Sequence, residues 1–190
     1  MIAKARIDNM KERADTWQME LANIAWEFEK NLKKSDLNDL NKKPDPNSWS
    51  ISEVMAHLIK VNTSYFPIFD QIIRKEYKTP IMGKIPFLGK KMGEIILQAM
   101  SSPKKTKTFN EWNPEEKLYD QTLFDAFYNQ QHELSSYVQQ LEPFLDRKLM
   151  IASPASPWVV YRLDQAIEII LAHEKRHLKQ VKFLLNLSVI

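Results

Sequence analysis

Residues 6–33 read RIDNMKERADTWQMELANIAWEFEKNLK, and their apolar positions Ile7, Met10, Ala14, Trp17, Leu21, Ile24 and Phe28 recur at alternating steps of three and four. Asp, Lys, Glu, Arg, Gln and Asn fill most of the gaps, so the segment predicts a helix with one apolar face. The polar stretch after it ends at Pro44 and Pro46, which forbid continuation.

The same period returns three times. Ser50 and Glu53, three apart, form a capping box ahead of Ile51, Val54, Met55, Leu58, Val61, Tyr65, Phe66, Phe69, Ile72 and Ile73. Pro67 lies inside this run and predicts a kink near residues 63–67. A third helix is expected from about residue 115 to 142, opened by Asn113-Pro114 and stopped by Pro143, with Phe124, Phe127, Leu134, Val138 and Leu141 on its face. A last helix is expected from a cap at or near Asp164 to about residue 187, burying Ile167, Ile170, Leu171, Leu178, Val181, Leu184 and Leu185. Residues 78–114 hold all three Gly and read as irregular, apart from a short helix near 87–100. No strand-like alternation competes.

The expected fold class is therefore all-α: a four-helix bundle about 40 Å long, forming a single domain over residues 1–190. The connection between the second and third helices, about 37 residues and partly helical, is too long for a hairpin and favours up-down-down-up order.

Composition removes several chemistries. Across 190 residues there are 27 Lys and Arg against 24 Asp and Glu, a net charge of +3 that does not call for nucleic acid or lipid. Cys is absent, which excludes disulfides, thiolate metal sites and a Cys nucleophile. Gly83, Gly89 and Gly93 assemble into no phosphate-binding loop and no nucleophile elbow. Neither a signal peptide nor an apolar run of spanning length is found, so a cytoplasmic location is expected. Lys84, Lys90, Lys91, Lys104, Lys105 and Lys107 make a basic stretch that reads as a solvated loop, with no nucleic-acid motif beside it.

The four His carry the remaining chemistry. His173 and His177 lie one turn apart on one face of the last helix, and such a pair can grip one metal ion. His57 stands at the edge of the second helix's apolar stripe. Three neutral imidazoles would leave an open position for water or substrate, as in catalytic rather than structural sites. The competing reading is a His pair falling by chance on a partly solvated face. The string His173-Glu174-Lys175-Arg176-His177 spells H-E-x-x-H, yet no Asp, Glu or His follows His177, so the downstream ligand of a zincin peptidase is missing. A di-iron site fails too, because Glu53 lies four residues before His57 instead of three.

Gln180, one turn beyond His177, is a candidate to orient a ligand imidazole. Gln131 takes a core slot between Phe127 and Leu134 and needs a polar partner there. Glu174 flanks both ligand candidates as a supporting residue or base, or as half of a helix-surface pair. His132 follows no apolar stripe and reads as surface.

Trp49-Ser50-Ile51-Ser52-Glu53-Val54-Met55-Ala56-His57-Leu58, then Ser153-Pro154, Leu163 and the run from His173 to Gln180, resemble the DinB-like superfamily of helical-bundle metalloenzymes over nearly the whole chain. The resemblance implies a metal triad of His57, His173 and His177 holding a divalent transition ion, Zn or Ni. It implies hydrolase or low-molecular-weight-thiol transferase chemistry on a small-molecule substrate, with a thiol cofactor as a candidate partner. The alternative is a non-catalytic bundle that binds a small ligand or protein and whose metal site is empty or structural. Separately, a homodimer presenting an apolar face is a candidate assembly compatible with either functional reading.

Overall fold

The computed structural model describes residues 2–33, 35–85, 87–102 and 108–187, with side chains from Asn9 to Asn186. Its long helices are α1 (Ile2–Leu32), α3 (Ile51–Ile73), α5 (Thr122–Leu145) and α6 (Leu163–Leu187), with α2 (Leu37–Asn41) and α4 (Leu88–Ser101) in the connections. Strands β1 (Met150–Ser153) and β2 (Ser156–Arg162) form an antiparallel hairpin. The chain is thus mostly helical.

Interlocking side chains set the helix directions. Arg13 pairs with Asp164 and Glu168, Glu20 with Lys175 and Glu27 with Lys182, so partners advance together and α1 runs parallel to α6. Asn62 meets Gln130 and Asp70 meets Tyr137, which makes α3 parallel to α5. Gln18 meets Ser135 while Phe28 stacks on Phe127 with ring centroids 4.7 Å apart, so α1 and α5 are antiparallel. Trp49 against His177, with Tyr65 on Tyr161, makes α3 antiparallel to α6 and its leading strand. Between these helices lies one apolar core that includes Leu21, Ile24, Phe28, Leu58, Phe69, Phe127, Leu141 and Ile170. Of the first helix's predicted face, Ile7 falls outside the described side chains.

Four sequence expectations need correcting. The segment around Ser153-Pro154 is a hairpin rather than a loop, because Val159, Val160 and Tyr161 supply a β-branched and aromatic run. Helix α5 begins at Thr122, not near 115: Asp120 accepts from the Thr122 backbone N–H at 2.9 Å, and Asn41 holds Tyr119 by both its N–H and its carbonyl. Pro143 does not stop α5, since only two helical residues follow and one backbone bond is forfeited. Pro67, by contrast, does not end α3, which continues through Ile73 as expected of a proline inside the run. The polar stretch after α1 also contains α2, pinned by buried Leu40.

The capping box is present. Ser50 Oγ accepts from Glu53 N–H at 3.1 Å, and Glu53 Oε2 accepts from Ser50 N–H at 2.8 Å. Lys43 covers the other carboxylate oxygen of Glu53 at 3.1 Å. Ser50→Ala is expected to cost about 1 kcal/mol in urea unfolding, because it orphans a buried N–H at the start of the helix that carries His57.

Candidate metal centre

Helix geometry aims three imidazoles at one point. His57, Val61 and Tyr65 follow one another at four-residue steps on α3 and so share a face, while His173 and His177 stand one turn apart on antiparallel α6. His173 Nε2 lies 3.1 Å from His57 Nε2 and 3.0 Å from His177 Nε2. One nitrogen from each of the three lies within 4.8 Å of the others.

The outer nitrogens fix which lone pairs converge. His57 Nδ1–H donates to the Trp112 carbonyl at 2.7 Å, and His177 Nδ1–H donates to Gln180 Oε1 at 2.8 Å. Both rings therefore turn unprotonated Nε2 atoms inward. Only a proton on His173 Nε2 relieves the contact, one neighbour at a time, and His173 Nδ1 is buried with no partner among the described residues. Trp49 packs on His57 with ring centroids 4.7 Å apart and lies parallel to His177 at 6.3 Å.

Burial keeps the set neutral. It lowers the pKa of His57, partly offset by the Trp112 carbonyl, and drives that of His173 far down, helped by the two neighbouring imidazoles. Burial holds His177 down to about 3, with His57 adding to the effect. Neutral imidazole is the metal-binding form. A tetrahedral site with bonds of 2.0–2.1 Å needs nitrogen separations of about 3.3–3.4 Å, so the observed spacings require an opening of a few tenths of an ångström. Three imidazoles at this spacing could together hold a metal ion.

The centre opens on a cavity of about 590 Å³ walled by α3, α4, β2 and α6. Its lining is chiefly apolar, including Val61, Ile95, Ile96, Val159 and Ile170, and holds no carboxylate among the described residues.

The remaining sequence candidates separate cleanly. Gln180 touches His177 as expected. Gln131 is buried and donates to Glu174 Oε1 at 2.6 Å. Glu174 is 0% exposed and makes no surface pair; Lys175 pairs with Glu20 instead. The carboxylate sits on the core side of α6, where Asn62 also donates to it at 2.5 Å, and burial pushes its pKa up to about 7. Asn62 and Gln130 carry a signal in the sequence too, since each replaces an apolar residue within a stripe: Asn62 between Leu58 and Phe66, Gln130 between Phe127 and Leu134. His132 is exposed. Of the basic stretch, Lys104, Lys105 and Lys107 lie outside the described residues.

Fold and site together define a predominantly helical protein with a three-His cluster that could hold a metal ion. A family model described as the DinB superfamily matches residues 23–181, which include the three His and Gln180, and the chain belongs to that superfamily. No curated protein and no solved structure matches the chain significantly. Among the described residues, no helix is long and apolar enough to cross a membrane.

Proposed function

We propose that the protein is a divalent-metal-dependent enzyme of hydrolase or thiol-transferase type, an up-down-down-up four-helix bundle in which His57, His173 and His177 hold Zn or Ni. The pairwise helix directions support the bundle. The observation that carries the site is the convergence of three Nε2 atoms whose rings are oriented from outside by Trp112 and Gln180. When bound, the ion supplies Lewis acidity that polarises an electrophile and lowers the pKa of coordinated water or thiol.

The protein's own residues do the positioning. The Trp112 carbonyl and Gln180 hold two imidazoles in the ligand tautomer. Trp49 shields the rings from water, and the apolar walls orient a small substrate against them. Glu174 faces the buried amides of Asn62 and Gln131 and is not part of the cavity lining, so its role is to brace α6 rather than to act as a base on substrate.

Metal analysis of untagged protein tests this reading. About one equivalent after Zn or Ni titration is expected, and under a tenth of an equivalent, both as purified and after titration, would end it. Gln180→Ala should weaken metal affinity about 10–100-fold without changing stoichiometry, as measured by competition with a chromophoric chelator.

A further inference from the structure

We propose that the paired hydroxyls of Tyr65 and Tyr161 are the polar end of the ligand site, donating one hydrogen bond to a neutral oxygen acceptor, a carbonyl or ether, on a largely apolar small molecule. The proposal rests on the preceding reading only for what meets the molecule's other end, at the three imidazoles.

Tyr65 Oη and Tyr161 Oη lie 2.6 Å apart, and Ser153 is a further hydroxyl neighbour of Tyr161. Ser153 Oγ also accepts from Ala155 N–H at 3.3 Å. Three hydroxyls carry three protons; the tyrosine pair consumes one, and Ser153 can take up at most one more. One O–H is left without an acceptor among the described residues. All three residues are buried, at 2%, 1% and 8% exposure, and all three line the cavity. A buried donor of this kind gains most from an acceptor that arrives with the ligand.

Distance and charge narrow the molecule. Tyr65 lies eight residues beyond His57 on one helical face, about 12 Å along the axis, with Val61 between them. A volume of about 590 Å³ falls within the range of small-molecule sites. Among the described residues the cavity's one permanent cation, Arg176, is beside His177 at the other end and bonds the Ser102 carbonyl. A carboxylate placed at the tyrosines would be desolvated without a counter-charge from the described residues there, which favours a neutral acceptor.

The test compares 4-phenylbutan-2-one with butylbenzene, its counterpart lacking the oxygen, by ligand-detected NMR on the full chain with and without Zn. The wild type should prefer the ketone by about tenfold, and Tyr65→Phe and Tyr161→Phe should each bring that ratio close to one while leaving Zn uptake unchanged. Should Tyr161→Phe fail to fold, Tyr65→Phe carries the test. Equal affinity for the two probes in the wild type, binding of neither, or a ketone preference that survives both substitutions would overturn the proposal. A tyrosine-dependent preference in a chain that takes up no Zn would support it while sinking the metal reading; the reverse pattern would do the opposite.

Discussion

His57→Ala is expected to lower metal affinity by more than about a hundredfold and bring bound metal close to zero at micromolar protein, because it removes one of three ligands and leaves only the pair on α6. The loss should exceed that of Gln180→Ala, since Gln180 orients an imidazole without contributing a donor to the centre. The metal-stripped variant should still fold. His57 makes one hydrogen bond outside the cluster, and its removal relieves an unfavourable meeting of lone pairs. A variant that retained a full equivalent at wild-type affinity would show that the three rings do not act as one site.

Glu174→Gln should leave stability nearly unchanged at pH 5 and raise it by about 2–3 kcal/mol at pH 8, read from urea unfolding of metal-free protein at the two values. An ordinary glutamate titrates near 4.5, and burial pushes Glu174 up to about 7. The folded chain therefore keeps a proton that the unfolded chain releases. Stability tied to that proton is complete below 4.5 and disappears as pH rises through about 7. Glutamine keeps the Oε1 acceptor that Asn62 and Gln131 use, and it adds an N–H in a cluster where Asn62 Oδ1 and Gln131 Oε1 have no partners among the described residues. The imidazoles act in the opposite direction. Their folded pKa values lie below the ordinary 6.5, so their contribution is complete above that value and is lost as pH falls, for His177 toward about 3. The substitution should therefore remove the alkaline loss and leave the acid one in place.

The four long helices were legible because each keeps a 3.6-residue apolar stripe over many turns, and Ser50 with Glu53 marked where the second begins. The hairpin was not, because its strands are short, Pro157 lies inside the second, and a few β-branched residues cannot outweigh the helical pattern on either side. The start of α5 is not legible in sequence because Pro114 resembles a helix opening, whereas the actual boundary depends on Asn41, far off in sequence, gripping Tyr119. The placement of the three His on their helices marks them as candidates in the sequence, and the structure brings them together. The buried position of Glu174 was not legible, since a carboxylate beside Lys175 reads as surface until the facing amides of Asn62 and Gln131 are known. The Trp112 carbonyl could not be found from sequence at all, because any residue can supply a backbone oxygen.

That carbonyl ties the assembly of the centre to the order in which the chain folds. His57 meets its orienting group 55 residues away and its partner imidazole 116 residues away. Contacts of such separation close late, after local helices have formed, because loop entropy must first be overcome. Helices α3 and α6 can each form with their imidazoles in place and still bind weakly. On the proposed metal-binding reading, high-affinity uptake would wait until the segment around Trp112 has seated on α3. Metal affinity thus becomes a reporter on the docking of the long connection, and an ion supplied during refolding would be captured tightly only in the last step.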